Sequence, residues 1–529
     1  MPKGKPQTVV ASSMRSQAIK AILFILVIAL GVYFFISMDY PLEITQTILR
    51  TRISGVGFSP KIIPADLNDS ELDGLPPNTF SYLTMIDAGS SGCRAHVYRY
   101  GLLGSEKGSL YIVPQHVSKK VKPGLSSFAK NPTAAGESLT GLIDFLKSAI
   151  PPSEWENTPI WLKATAGLRM LQRDESANIL MSVREFLGDK SKSPFLFRLS
   201  WAKVIPGTEE GAFGWMAVNY LYKVIGPKRV RGREPYAVVE MGGASSQVTQ
   251  MAPDAREAGL LPADYKFVFT IESEQYSLYT HSYLGYGGEQ ARESVNKALL
   301  PGTDSESEVK DPCLNTGYVR EKGQSRRDVY EGPAVPVKVV GVAGGLTNGC
   351  FDLASKTLFP AEEQAQSCTS PAPRSFGCVF QPDFVSRAKN FLVFENFFYV
   401  ASGVGLKPAG HGNPGVSEKT KFPLKTSPQE YLDSSVEVCS TSWSSLATEF
   451  PRDAQPKDFN TKMCFATSYA AAFLVNGLGL PREKLITVQK EVAGSEIEWA
   501  LGAAYKEALD FFGTEKMLRG TGTVATKYS

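Results

Sequence analysis

A short loop, Asp87-Ala88-Gly89-Ser90-Ser91, returns in altered form at Glu240-Met241-Gly242-Gly243-Ala244-Ser245-Ser246. Each copy closes an apolar, β-prone run, Tyr82-Leu83-Thr84-Met85-Ile86 in the first case and Tyr236-Ala237-Val238-Val239 in the second. Each places an acid at a strand end, then glycine and small hydroxyl residues. Glycine and serine let backbone N–H groups approach an anion with no bulky side chain in the way. The acid repels a phosphate, but it can hold a divalent cation that the phosphate binds. Two such loops facing each other would grip a polyphosphate and its metal from both sides. The repeat thus constrains the chain to two related lobes around a phosphate-handling cleft.

The 529 residues suffice for two domains, and 43% hydrophobic with 21% charged residues is ordinary globular composition. A net charge of +3 with no basic stripe of interleaved aromatics argues against nucleic acid as a partner. The one strong anomaly is AILFILVIALGVYFFIS, residues 21–37, uncharged and just long enough to cross a thin bilayer. No small-x-small cleavage site follows it, so an uncleaved signal anchor is expected rather than a signal peptide. Lys3, Lys5, Arg15 and Lys20 precede the run, while Asp39 and Glu43 follow it. The positive-inside rule then puts residues 1–20 in the cytosol and the bulk of the chain in a lumen, as a single-pass type II protein.

Six of the seven cysteines fall late, at 313, 350, 368, 378, 439 and 464, and none makes a CxxC pair. That favours disulfides over a zinc site. Pairing in chain order is the expectation, although six cysteines permit many other connectivities. Cys93 is left over, inside the first loop. Asn68-Asp69-Ser70 is a glycosylation sequon. Scattered prolines over residues 38–79 read as a stem. From Phe80 a strand–loop–helix rhythm sets in. Ile160 to Thr165 reads as a strand; Ile179, Leu180, Val183 and Leu187 have helical spacing, as do Phe213, Met216, Tyr220, Leu221 and Val224. Residues 301–312 and 408–428 read as surface loops. His96, His116, His281 and His411 show no partner pattern.

Two more segments carry chemistry. In Lys163-Ala164-Thr165-Ala166-Gly167-Leu168-Arg169 the Thr165 hydroxyl could bond a phosphate or a metal-bound water, or simply cap the following helix. In Pro206-Gly207-Thr208-Glu209-Glu210-Gly211, Thr208 reads as an N-cap that puts both glutamates in the first helical turn. Acids there favour the helix dipole by roughly 0.3–1 kcal/mol. One of them could also orient and deprotonate a water, since a carboxylate beside a metal stays ionised. Spacing alone does not choose between Glu209 and Glu210. Arg94 could contact phosphate or pair with a structural carboxylate.

The order Asp-Ala-Gly-Ser-Ser-Gly, Ala-Thr-Ala-Gly-Leu-Arg, Gly-x-Glu-Glu-Gly-x-Phe-Gly-Trp and Gly-Gly-Ala-Ser-x-Gln resembles the signature motifs of the apyrase family of nucleoside di- and triphosphatases. The resemblance runs from about Phe80 to Ala504, and the lone anchor with Lys122-Pro123-Gly124-Leu125-Ser126 is most similar to the single-pass Golgi and plant-type branch. It implies an α/β, actin-like (ribonuclease-H-like) fold of two lobes, with 80–205 and 490–512 in lobe I, 206–489 in lobe II and a polar tail over 513–529. It further implies Glu210 as the catalytic base and Ser245 positioning the attacking water. Asp87 and Glu240 would hold Ca²⁺ or Mg²⁺ through waters. Ser90, Ser91, Gly92, Gly243 and Ala244 would line the phosphates, Thr165 would assist the terminal phosphate, and Gln247 would support the water network. The implied substrate is a nucleoside di- or triphosphate, hydrolysed in the Golgi lumen or another endomembrane compartment.

Two positions depart from the family pattern. Glu240 stands where Asp is usual, and Cys93 where Ser or Thr is usual. A metal held through waters tolerates one extra methylene, with affinity or metal preference open to shift, and Cys93 reads as buried and inert, with a redox-sensitive thiol as the alternative. Another actin-like phosphotransferase, such as a sugar kinase or exopolyphosphatase, is disfavoured by the Glu209-Glu210 segment and the luminal topology. A catalytically inactive nucleotide-binding or receptor protein with this fold remains the alternative from another class.

Overall fold

The structure, a computed structural model, describes residues 60–299, 308–324, 337–343, 349–360, 376–410, 420–449 and 459–521. The first lobe holds strands β1 (Ile62–Ile63), β2 (Ser81–Ala88), β3 (Cys93–Leu103), β4 (Leu110–Ile112), β5 (Val117–Val121), β6 (Ile160–Ala164) and β7 (Ala202–Val204). They form one seven-stranded sheet whose backbone order is β1-β3-β2-β6-β7, with β4 and β5 also on β3. Helices α1 (Thr140–Ala149) and α2 (Arg173–Gly188) belong to this lobe. The helical spacing read from the sequence is met in α2, where Ile179, Leu180, Val183 and Leu187 are all buried in the core they share with Leu142, Ile143 and Leu146 of α1. Each fully buried aliphatic side chain of this kind contributes about 1.5–3 kcal/mol.

Helix α3 (Gly207–Leu221) leads into the second lobe, which opens with β8 (Tyr236–Met241), β9 (Ser245–Met251), β10 (Lys266–Ile271) and β11 (Glu274–Leu284), then α4 (Gly288–Leu299). A small sheet follows: β12 (Val309–Asn315), β13 (Val319–Arg320) and β14 (Val339–Ala343), with α5 (Gly349–Leu358) after it. The lobe ends with β15 (Asn390–Glu395), α6 (Asn396–Val404), β16 (Leu424–Thr426), α7 (Pro428–Ser440), α8 (Met463–Ala472) and β17 (Ile486–Val488). Its main sheet runs β10-β11-β9-β8-β15-β17-β16.

The two main sheets repeat one plan. In the first, β2 pairs antiparallel with β3 and parallel with β6, and β6 is parallel to β7. In the second, β8 pairs antiparallel with β9 and parallel with β15, and β15 is parallel to β17. The β2–β3 and β8–β9 hairpins therefore correspond, as do the ends of β6 and β15. This is the two-lobed, actin-like α/β architecture.

Helix α3 is buried from Glu210 to Leu221 because a second helix, α9 (Trp499–Thr521), lies along it and also meets β2. A Cβ at Gly502 would sit 2.0 Å from the Phe213 carbonyl oxygen, so only glycine permits that crossing. The small residues of Trp499-Ala500-Leu501-Gly502-Ala503-Ala504 thereby bring the last helix against the middle of the chain.

Several expectations need correction. The stem ends earlier than residue 79: Ile62 and Ile63 pair with Leu102 and Leu103 of β3, and Ile63 and Leu72 are buried. Asp69, within the sequon, accepts a hydrogen bond from the Tyr111 hydroxyl at 2.7 Å and pairs with Lys223 at 2.8 Å, while Asn68 caps a short helix and is exposed. The prolines suggested an extended stalk, but two apolar residues between them sufficed to add an edge strand. Thr208 is no N-cap; Pro206 holds that position and the helix begins at Gly207. The loop read over 301–312 gives way to β12 at Val309, and that over 408–428 contains β16. The tail expected from Gly513 continues α9 to Thr521. The anchor at residues 21–37 lies outside the described residues, among which no helix is long and apolar enough to cross a membrane.

Disulfides join Cys313 to Cys350 and Cys439 to Cys464, as pairing in chain order predicts. Cys368, and with it the expected 368–378 pair, falls outside the described residues. Cys93 is free and buried.

Candidate active site

The repeated hairpins bring their turns together. A Cβ on Gly243 would lie 3.3 Å from the Ser90 hydroxyl oxygen, so the two glycine-serine loops face each other at close range. Between them opens a cleft whose free space, open mouth included, is about 750 Å³. Asp87, Ser90, Ser91 and Gly92 line it from the first loop; Glu240, Gly243, Ala244 and Ser245 line it from the second; Thr165 and Glu210 complete the expected set. Gln247 stands just behind, with its side chain on Ser245.

Each loop is held from behind. Gly167, opening the helical turn Ala166–Arg169, lies so near the first loop that a Cβ there would meet the Ser90 Cα at 2.9 Å. The Gly242 carbonyl accepts from the Asn396 side chain and the Gly288 N–H, both at 2.9 Å, and the Gly243 carbonyl accepts from the Glu289 and Gln290 N–H groups. Thr165 sits at the N-cap of its turn but makes no side-chain capping bond.

The two neighbouring glutamates part company. One residue of α-helix rotates a side chain by roughly 100°, and Glu209 turns outward to Lys203 at 3.1 Å while Glu210, 6% exposed, turns into the cleft. Arg169 donates to Glu210 at 2.7 Å, to the Ile205 carbonyl at 3.2 Å and to Ser245 Oγ at 3.3 Å. Gln247 donates to the same Ser245 oxygen at 2.6 Å and to Ser282 at 3.0 Å. A serine hydroxyl has two lone pairs and one proton. With both lone pairs taken by Gln247 and Arg169, the Ser245 O–H is left to donate.

Glu395 was missed in the sequence. It ends β15, opposite Met241 in the sheet and one register place from Glu240, at φ 57° and ψ −121°, and its carboxylate joins the cleft. A non-glycine residue held there carries strain of about 1–3 kcal/mol, a pattern that clusters at functional sites. Its signal lay in the repeat: the end of β15 corresponds to the end of β6, where Thr165 follows. Arg169, Ser282, Lys120 and Glu498 were likewise unassigned. Lys120 donates to Ser91 Oγ at 3.2 Å, and Glu498 pairs with Arg94, which meets Glu496 as well. Arg94 is thus an ion-pair partner, at the cleft's edge.

Besides Glu498, the cleft gathers the carboxyls of Asp87, Glu210, Glu240 and Glu395, and their mutual repulsion is legible in their acidities. Burial and the Glu210 charge push Asp87 up to about 7. Burial, then the charges of Glu210, Glu395 and Asp87, hold Glu240 well above the ordinary carboxylate range. Burial raises Glu395, and raises Glu210 against the lowering pull of Arg169. Asp87 Oδ1 and Glu240 Oε2 are buried with no hydrogen-bond partner. Orphaned carboxylate oxygens flanked by further acids fit a divalent cation. The longer side chain of Glu240 finds room beside Gly214, where a Cβ would stand 3.2 Å from Oε2. Cys93, 1% exposed, has its thiol pushed up to about 12 by burial and by the Asp87 charge. The aromatic segment after Glu395 is structural at its first residue: Phe397 is fully buried in the second-lobe core.

Residues 75–518 match the GDA1/CD39 (nucleoside phosphatase) family. The chain is 30% identical over 433 residues to "Probable apyrase 4" of Arabidopsis thaliana, covering 80% of this chain and 78% of that one. It is 30% identical over 463 residues to the "Guanosine-diphosphatase" of Candida albicans (81% and 70% covered) and 29% identical over 458 residues to the human "Nucleoside diphosphate phosphatase ENTPD5" (86% and 92% covered). Among solved structures, a nucleoside triphosphate hydrolase of Neospora caninum shares the fold, with a TM-score of 0.55 at 14% identity over 80% of this chain and 91% of that one. With the family's span covering both lobes and every loop of the cleft, the chain belongs to the GDA1/CD39 family of nucleoside phosphatases.

Proposed function

We propose that the protein hydrolyses the terminal phosphate of nucleoside diphosphates, and of triphosphates as secondary substrates, to nucleoside monophosphates, with water as nucleophile and Glu210 as its base. The observation that carries this reading is Glu210 itself: buried, aimed into the cleft, and tied to Arg169 beside a serine whose proton is free to donate. A water between them would accept from the Ser245 O–H and donate to Glu210, leaving a lone pair directed at phosphorus. Arg169 offsets the burial of Glu210 and keeps its carboxylate available to take the proton. Gln247 and Ser282 fix the Ser245 rotamer, so the water's position is set before substrate arrives.

The phosphates would lie between the loops, against Ser90, Ser91 and Gly92 on one side and Gly243 and Ala244 on the other, with the Thr165 hydroxyl at the terminal group. Asp87 and Glu240 would hold Ca²⁺ or Mg²⁺ through its waters; such a cation supplies charge neutralisation on the phosphate oxygens. It would also relieve the repulsion among the four carboxyls. The apolar run at 21–37 and the two disulfides support a single-pass anchor with the body in an oxidising lumen of the secretory pathway.

The test is phosphate release by the purified full-length chain from GDP, UDP, ADP and their triphosphates, with Ca²⁺, Mg²⁺ or EDTA. Cation-dependent release with diphosphates favoured is expected. Folded protein that releases phosphate from none of them overturns the proposal.

A further inference from the structure

At the edge of the cleft, on the same face of β3 as Arg94 and sharing Glu498 with the cleft lining, lies a cluster that phosphate chemistry does not use. His96 comes from β3, His116 from the turn between β4 and β5, and Glu498 from the residue before α9. One ligand atom from each lies within 4.8 Å of the other two. His96 Nδ1 stands 3.1 Å from Glu498 Oε2, and His116 Nε2 stands 4.0 Å from the same oxygen. The rings are 5.2 Å apart and tilted by 47°. The side chains of His96, His116 and Glu498 are 0%, 4% and 10% exposed.

The cluster is polar, largely buried and poorly paired. His96 Nε2 is buried without a partner, and His96 Nδ1 and Glu498 Oε2 face each other at 3.1 Å without an aligned hydrogen bond. Leaving such groups poorly paired is costly, about 1–3 kcal/mol for a buried group with no partner, and their convergence points to something that pairs them. The surrounding bonds are those expected behind metal ligands. His116 Nδ1 meets the Pro114 carbonyl at 3.3 Å. A carbonyl only accepts, so Nδ1 carries the proton and Nε2 offers its lone pair toward Glu498. The other Glu498 oxygen, Oε1, is bound by Arg94, which orients the carboxylate and leaves Oε2 for the cluster.

We propose that His96, His116 and Glu498 bind one zinc-class transition-metal ion, at a site separate from the divalent cation of the cleft. Two imidazoles and one carboxylate suit Zn²⁺, which binds them at about 2.0–2.2 Å; hard Ca²⁺ and Mg²⁺ favour all-oxygen shells. Tetrahedral bonds of that length set ligands roughly 3.4 Å apart, so an edge as wide as 4.8 Å closes by about 1.4 Å through side-chain rotation. The fourth position would take water. The ion would join the first-lobe sheet to the start of α9, the helix packed along α3. Through Glu498 it would fix Arg94 and Trp499 at the cleft edge, which makes it a positioning ion rather than a catalytic one.

The experiment uses the full-length chain without a polyhistidine tag. The protein is stripped with chelator, dialysed against Zn²⁺ in excess Mg²⁺, and its zinc content measured; Co²⁺ titration in parallel reports nitrogen ligation through its visible absorption band. About one zinc per chain is expected in the wild type, with affinity weakened roughly 100-fold or more in His116→Gln and in His96→Gln. Asp87→Asn, which alters the cleft, should leave zinc stoichiometry unchanged. The proposal is overturned if folded wild type retains no stoichiometric zinc and shows no Co²⁺ band. It is equally overturned if the two histidine variants bind zinc as the wild type does. The wild-type arm stands even where a variant fails to fold.

Discussion

Asp87 offers the sharpest physical test of the cleft, because its acidity predicts an unusual dependence of stability on pH. In the absence of a divalent cation the folded protein holds this carboxyl's proton up to about pH 7, against 3.8 for an ordinary Asp. Between those values the unfolded chain has released the proton and the folded chain has not. The unfolded state thus binds fewer protons, and folding stability falls as pH rises through the interval. The slope for one carboxyl is about 1.4 kcal/mol per pH unit, or about 4 kcal/mol over the whole range. Asp87→Asn cannot ionise and escapes this loss. In EDTA at pH 7.5 the variant should be more stable than the wild type by up to about 4 kcal/mol, and at pH 4.5 the two should converge. Glu240, also raised, leaves the variant a residual slope of the same sign. Millimolar Ca²⁺ or Mg²⁺ should raise wild-type stability at pH 7.5 and do much less for Asp87→Asn. The assay is the urea midpoint from pH 4.5 to 7.5, with and without cation. Equal slopes for the two proteins in EDTA, or a variant less stable at pH 7.5, would refute the reasoning.

Three further outcomes follow from the geometry. Arg169→Met removes the guanidinium that offsets burial of Glu210, so the Glu210 carboxyl rises further; the acid limb of kcat/KM moves to higher pH and kcat falls about 10²–10⁴-fold, with a smaller change in nucleotide affinity. Glu209→Gln breaks only a partly exposed pair with Lys203, worth about 0–1 kcal/mol, and should keep activity within a few-fold of wild type in the same assay. Cys93 in the native protein should resist iodoacetamide at pH 8 and react once the chain is unfolded in urea, as peptide mapping would show, since its thiol is buried and pushed up to about 12.

How far the sequence could be read divides along the distance between partners. The two loops were legible because an acid and a glycine-serine run at a strand end are local, and their repetition announced two lobes. The separation of Glu210 from Glu209 was not, since it depends on how far α3 is turned within its surroundings. Arg169 stood inside a recognised motif, yet its role needs Glu210 and Ser245, which reach it only through α3 and the second sheet. Glu395 sits at the end of a strand whose neighbour, β8, lies far back in the chain. The cluster of His96, His116 and Glu498 joins the first lobe to the last helix, a pairing no local window contains. The misplaced stem edge had the opposite cause: proline content spoke for an extended segment, and two isoleucines outweighed it by completing a sheet edge.

The central claim is that Glu210 takes the proton from the attacking water. Glu210→Gln keeps the side chain's size and its place beside Arg169 while removing the base. Measured in one preparation, GDP turnover with Ca²⁺ or Mg²⁺ should fall by about 10²–10⁴-fold, while GDP affinity from calorimetry stays within a few-fold of wild type. Turnover that survives the substitution would contradict the account and move the base to another of the cleft's carboxylates.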